Sequence, residues 1–285
     1  MTAIVASIGG LSFAIDDTSA NTLATMRGWY SGPPKRDDTD DNPTSDGASP
    51  VSVIYKSART ITVNGLLSSV SADAAITGVW STFAALQSDG KPSPFTVTDE
   101  QGTLSCLVSV RTNDIEPIAD GLAEYVLQMT ARDPVKYGLP RTLSTGPPTA
   151  GGGLEFNLFD GGAGGLLHFG VNGNLGRVTL TNAGKARVWP SLLVTGGLTT
   201  GFFVQRLDTG QVVRYDRVVP DGSTVSVNFR TGETLIDGLS DGSGFLTRYE
   251  FFSVGPGESV EVQFNPISGV SGSPTAAFTI ADGFW

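Results

Sequence analysis

Apolar and polar residues alternate in short runs along most of the chain, and strands are the elements this predicts. In "ARTITVNGLL", Ile61 and Val63 alternate with Thr60 and Thr62. "VSVIY" precedes that run across Lys56 and Ser57, so a hairpin is expected over 51–65. "MTAIVASIGGLSFAIDD" reads as two strands around Gly9-Gly10. "PFTVTDEQGTLSCLVSVRTN" reads as a hairpin over 95–113, with Leu104, Cys106, Val108 and Val110 on one face. "EYVLQMTAR" is a further strand. One stretch has a different period: Ile76, Val79, Trp80, Phe83 and Leu86 recur at three- and four-residue spacing. The spacing predicts a helix over 71–88, with Ser71 as N-cap, Asp73 in the positive first turn, Gly90 as the stop and Pro92 beyond it.

The first series of strands ends at "ARDPVKYG". Pro134 has no N–H and biases Asp133 away from helix, so a strand cannot run through it. "LPRTLSTGPPTAGGG" (139–153) then reads as a linker. Beyond it lie short strand candidates separated by turn signals such as Asp208-Thr209-Gly210, Pro220-Asp221-Gly222 and Gly255-Pro256-Gly257. The fold class expected is mainly β: a sandwich-like N-terminal domain with one amphipathic helix (1–138), a linker (139–153), and a C-terminal jelly-roll-type β-sandwich (154–285). Residues 31–50, "SGPPKRDDTDDNPTSDGASP", are polar, acidic and Pro/Gly-punctuated, and are expected to form a long loop or a mobile arm.

Composition narrows the function classes. The formal net charge of −10 argues against gripping nucleic acid, because phosphate contacts need Lys and Arg. It leaves room for a protein that lets DNA pass without holding it. Charged residues are only 16% of the chain, which suits surface buried in an assembly, since interface cores are depleted of Lys, Glu and Asp. A single Cys excludes an intrachain disulfide and fits a reducing compartment. The first basic residue is Arg27 and the early apolar run is broken by Ser7, Gly9, Gly10 and Ser12, unlike a signal peptide. No apolar run is long enough to span a membrane.

Candidate chemistry is sparse. His168 is the only histidine, and no G-x-S-x-G elbow accompanies it. Cys106 shares a face with Leu104 and Val108 and reads as a small buried hydrophobe. Asp38, Asp40 and Asn42 mimic the start of a Ca²⁺ loop, but Pro43 stands where glycine is needed and Ser49 where glutamate is needed. The arm therefore reads as a solvated charge cluster, with adventitious Ca²⁺ at Asp38/Asp40 the weaker alternative. "GGAGGLLHFGVNGNLG" lacks the GK[ST] ending of a phosphate loop. No carboxylate pair is singled out for glycoside hydrolysis. No catalytic residue, metal site or cofactor is assigned.

The order of features resembles the distal tail proteins of phages with long non-contractile tails. The family's "R-x-I-x-V-x-G" strand is matched by Arg59, Ile61, Val63 and Gly65, and its "DP-x-x-YG" closure by Asp133, Pro134, Tyr137 and Gly138. "GWYSGPP" near Trp29 resembles a segment of actinobacteriophage members. In the second half, Asn182, Gly184 and Pro190 match an "N-x-G" with a Pro-led strand. Pro256 and Gly257, followed by Val260, Val262 and Phe264, match a "PG-x-x-x-I-x-F" strand. The resemblance implies a structural, non-enzymatic virion protein at the distal end of the tail. It implies a homohexameric ring made by the N-terminal belt domains, with galectin-like C-terminal sandwiches outside. The implied partners are the tail tube protein, the tape measure protein and the tail-associated tip or baseplate protein, with DNA passing through the lumen unbound. The alternative is a carbohydrate-binding tail module recognising a host surface glycan. The galectin set of His, Asn, Arg, Trp and Glu is not assembled here: His168 precedes the main strands and is far in sequence from Trp189.

Overall fold

The computed structural model describes residues 4–15, 21–36, 44, 46, 55–68, 77, 80–86, 90–119, 121–152 and 172–285. Asp38 and Asp40, the Ser71 cap with Asp73, and His168 with the strands expected around it lie outside the described residues. The chain divides into two compact units: Met1–Leu139 with Phe284–Trp285, and Pro140–Gly283.

The first unit is built from β1 (Val5–Ile8), β2 (Leu11–Ala14), β3 (Thr25–Arg27), β4 (Lys35–Arg36), β5 (Tyr55–Lys56), β6 (Arg59–Ser68), β7 (Ser93–Asp99), β8 (Gly102–Ala119), β9 (Leu122–Ala131) and β10 (Lys136–Tyr137). Seven of these pair in the order β2-β1-β7-β8-β9-β6-β3, all antiparallel, and β10 adds to β8 through Tyr137 and Ser105. β8 serves two partners in turn. Gly102–Val108 pairs with β7 and Ser109–Ala119 with β9, with a register shift between Val110 and Thr112 just after the changeover. Such a bulge bends a strand, so one long strand can serve both parts of the sheet. The alternating faces close over Ala6, Ile8, Phe13, Ile61, Val63, Phe95, Cys106, Val108, Tyr125, Leu127 and Met129, each 4% exposed or less. Cys106, 4% exposed, is the buried small hydrophobe that alternation predicts.

Two expectations change. The hairpin over 51–65 is not formed by the described residues: Tyr55–Lys56 pairs back with Lys35–Arg36. The reason is edge availability, because β6 gives one edge to β9 and the other to β3. Helix is present at 77 and 80–86. Phe83 is buried, its ring centroid 6.3 Å from that of Phe13, and Leu86 rests on the Gly9 turn, where an added Cβ would meet its Cδ1 at 2.9 Å. Trp80, expected on the same apolar stripe, is 58% exposed.

The second unit is a two-sheet antiparallel sandwich. Its strands are β11 (Arg141–Thr145), β12 (Arg177–Thr181), β13 (Ser191–Thr195), β14 (Phe202–Arg206), β15 (Val212–Tyr215), β16 (Thr224–Asn228), β17 (Thr234–Ile236), β18 (Ser240–Asp241), β19 (Leu246–Tyr249), β20 (Ser259–Pro266) and β21 (Ala276–Ile280). One sheet runs β11-β21-β13-β16-β17-β18 and the other β12-β20-β14-β15-β19. Alternation places Leu192, Val194, Val225, Val227, Phe264 and Phe278 inside, each 1% exposed or less. The segment read as a linker begins with β11, which pairs with β21 over five residues from Arg141↔Ile280 to Thr145↔Ala276. The Pro- and Gly-rich part follows that strand.

Candidate functional site

Three stretches distant in sequence meet at one buried side chain. β6 alternates inward from its first residue, so Arg59 points inward with Ile61 and Val63 and is 1% exposed. Its Nη1 donates to the carbonyls of Gly28 (2.6 Å), Trp29 (3.1 Å) and Ser31 (2.5 Å). Its Nε donates to the Pro134 carbonyl (3.2 Å), while Nη2 is buried with no partner among the described residues. Lys136, 6% exposed, donates from Nζ to the Trp29 carbonyl (3.0 Å), with Nζ 5.3 Å from the centroid of that ring. Burial, reinforced by the neighbouring Arg59 charge, pushes the Lys136 ammonium down to about 8. Burial likewise lowers Arg59 from its ordinary value.

The turn opposite Arg59 is locked from within. Asp133 accepts from the Val135 N–H (3.3 Å) through Oδ1 and from the Tyr137 hydroxyl (2.7 Å) through Oδ2. Gly65 lets β6 pass under the backbone of Thr22, where a Cβ would meet the Thr22 carbonyl oxygen at 1.9 Å. Gly28, at φ +82°, plays the same part against Thr60, whose carbonyl oxygen a Cβ would meet at 2.0 Å. Arg59, Ile61, Val63, Gly65, Asp133, Pro134 and Tyr137 thus tie the 28–31 segment and the end of the domain together, and Gly138 follows directly. Arg59, Ile61 and Val63 are sealed inside the protomer, so their part in any ring is to hold the shape of its unit.

The second unit has an equivalent knot. Asn182 is fully buried. Its Nδ2 donates to the carbonyls of Ala186 (2.8 Å), Val254 (3.2 Å) and Gly255 (3.0 Å), and its Oδ1 accepts from the N–H groups of Gly184 (3.0 Å) and Gly283 (3.2 Å). Its own carbonyl accepts from the Gly257 N–H (2.9 Å), in the turn after Pro256. Gly184 is required because a Cβ would meet the Gly283 carbonyl oxygen at 2.0 Å. Pro190 is buried just before β13, and its carbonyl accepts from Phe229 (3.3 Å).

Little of this can do covalent chemistry. Burial pushes the Cys106 thiol up to about 12, so it is not a nucleophile near neutral pH. Among the described residues no three His, Cys, Asp or Glu side chains gather as metal ligands would. What the first unit does present is a broad polar face. Opposite the core, β6, β9 and β8 display Thr60, Thr62, Asn64, Gln128, Thr130 and Thr112, then Asp114, Glu116 and Glu124, with exposed Leu66 and Val126 among them. Glu116 stands directly across from Glu124.

No family model and no curated protein matches the sequence. Solved structures do. The fold is similar to that of the SPP1 Dit protein. That protein is described as a paradigm of hub adsorption apparatus in phages infecting Gram-positive hosts. The match has a TM-score of 0.63 at 14% identity and covers 99% of both chains. A chain of the phage P2 baseplate, in its activated conformation with Ca, matches with a TM-score of 0.57 at 10% identity over 99% of this chain and 98% of that one. The same baseplate with Sr gives 0.55 at 9%, over 98% of each chain. At these identities what is shared is the Dit-like fold, and it is shared end to end.

Arg59 carries a signal in the sequence beyond its place in the "R-x-I-x-V-x-G" strand. A charged residue in phase with Ile61 and Val63 must either break the alternation or be buried with partners. The Asn182 knot carried a fainter signal, since "N-x-G" reads first as a turn.

Proposed function

We propose that this chain is a structural distal tail protein, a hub without enzymatic activity that joins a phage tail tube to the tip or baseplate. The observation that carries the reading is the full-length similarity to the SPP1 Dit hub, which includes both units in chain order. In this reading six copies close into a ring through their first units, and the second units project outward as galectin-like sandwiches. The ring's lumen passes the tape measure protein and then DNA. The hub contacts the tail tube protein on one side and the tail-associated tip protein on the other.

Charge supports the lumen role. Each copy adds a formal −10, and a wall of one sign repels the DNA backbone. The face of β6, β9 and β8 opposite the core is the natural wall, because its Thr, Asn and Gln do not bind phosphate by charge and its carboxylates Asp114, Glu116 and Glu124 outnumber Arg111 there, with Leu66 and Val126 as apolar interruptions. A head-to-tail ring also gives a neighbouring partner to the edge of β3, which among the described strands pairs only with β6. Electron microscopy of the purified chain with its tail tube protein, together with antibody labelling of virions, tests this. Six-fold rings and label at the tail tip are expected. A chain that remains monomeric with tube protein and is absent from labelled tips would overturn it.

A further inference from the structure

At one end of the second unit's sandwich an open pocket of about 290 Å³ lies between the two sheets. Its wall comes from the end of β15, the 217–223 crossing segment, β16, and the turn after β17. Four polar side chains reach it from separate places: Tyr215, Arg217, Ser223 and Asp237.

Three of them, Tyr215, Arg217 and Asp237, are held by something other than one another. Tyr215 is 1% exposed, its ring stacked on Phe202 (centroids 5.4 Å) and edge-on to Phe245 (6.0 Å). Its hydroxyl forms no hydrogen bond with a described residue, although the side chain is buried and lines the pocket. Burial raises the phenol above its ordinary value, and Arg217 and Asp237 lie close enough to act on it in opposite directions. Arg217 lies over Phe245, Cζ 4.3 Å from the ring centroid. Asp237 and Gly238, both at positive φ (52° and 70°), make the tight turn after β17. A two-way lock fixes the carboxylate: Asp237 N–H donates to the Thr224 carbonyl (2.9 Å), and the Thr224 N–H donates to Oδ1 (2.7 Å). The second carboxylate oxygen has no partner among the described residues. Val218, Pro220 and Ile236 supply an apolar side.

This is a set of donors and acceptors waiting for a ligand rich in both. A carboxylate accepts from hydroxyls, a guanidinium donates to them, and phenol and serine hydroxyls do either. One positive and one negative charge balance, so neither an anion nor a cation is favoured. The volume sits at the lower end of small-molecule sites, roughly 300 Å³ upward, which is room for one ring. We propose that this pocket binds a single neutral sugar residue: Arg217 and Asp237 hold neighbouring hydroxyls, Tyr215 and Ser223 complete the polar side, and the ring's C–H face lies on Val218, Pro220 and Ile236. The site stands apart from the hub role, and either can fail without the other.

Titration of the full chain by protein-observed NMR with the methyl glycosides of glucose, galactose, rhamnose and N-acetylglucosamine, and with glucuronate as the charged control, tests the proposal. At least one neutral glycoside saturates and outcompetes glucuronate. Asp237→Asn, which keeps the turn and the Thr224 lock, and Arg217→Gln each weaken it about tenfold or more, as expected for lost hydrogen bonds to charged groups. Tyr215→Phe keeps the ring stacking and weakens it several-fold with an unchanged melting temperature. Leu193→Ser, on the outward face of β13, leaves binding as it is. The proposal is overturned if no glycoside saturates, if glucuronate binds as tightly, or if binding survives all three pocket changes. Incorporation of the same variants into tails reports on the hub role separately.

Discussion

A guanidinium that is 1% exposed needs partners for most of its donors, and Arg59 uses backbone carbonyls at Nε and Nη1 in place of a carboxylate. The dipoles of Gly28, Trp29, Ser31 and Pro134 cannot be protonated in any ordinary range, so the clamp does not open in acid as an Arg–Asp pair would. Arg59→Lys keeps the charge, but one ammonium cannot satisfy carbonyls on both sides of the strand. The expected loss is about 2–4 kcal/mol in chemical denaturation of the first unit; a change below roughly 0.5 kcal/mol would show that the carbonyls find other donors. Lys136 gives the same place a pH dependence. Its folded value of about 8 lies below the ordinary 10.5, so below pH 8 both states carry the proton and the folded state bears the full burial penalty. Between pH 8 and 10.5 the unfolded chain still holds a proton that the folded chain has lost, so stability rises with pH. Lys56, also lowered by burial, acts in the same direction. Denaturation midpoints should climb from about pH 7.5 to about pH 8.5, before ionisation of the unfolded chain's Cys106 begins to oppose the rise, and Lys136→Met should remove most of it. A midpoint that falls over this interval would contradict the burial of a charged Lys136.

At the scale of elements, β6, β8 and β9 show what periodicity can and cannot foretell. Their inward faces were legible because one side is buried and the period is two. Partner choice was not. "VSVIY" looks like the mate of "ARTITVNGLL", yet β9 and β3, reached from opposite directions in sequence, occupy both edges of β6. The helical stripe was legible as a period, but Trp80 lies beyond the core that Phe83 reaches. The pocket of Tyr215, Arg217 and Asp237 had no local signal at all, since the sandwich brings together residues from separate turns. The outward faces carry their own conflict. Glu116 and Glu124 are direct cross-strand neighbours, and like charges so placed repel. Glu116→Gln should therefore stabilise the isolated chain by about 0.2–1 kcal/mol in denaturant melts, because one charged member of the pair is gone. If Glu116→Gln destabilises instead, the pair is engaged in a favourable contact within the protomer and is not held for a charged lumen.

At the scale of the whole chain, each unit is complete in the terms that decide cooperative folding. The first has its own core, with Phe13, Phe83 and Tyr125 packed ring against ring, and its own clamp at Arg59. The second has two sheets with every core strand paired inside it, closed by the Asn182 knot between the turn after β12, the turn before β20 and Gly283. Units with separate cores need not melt together, and a single unfolding free energy is then undefined for the chain. Calorimetry of the full chain should therefore resolve two transitions. A fragment of residues 140–283 should fold alone and reproduce one of them, because it retains both sheets and both sides of the Asn182 knot. Arg59→Lys should shift only the other transition, and Asn182→Ala only the one the fragment shows, since leaving several buried groups unpaired costs about 1–3 kcal/mol for each. One transition moved by both substitutions would mean that the two units unfold as a single cooperative body, and the second unit could then not carry its pocket independently of the first.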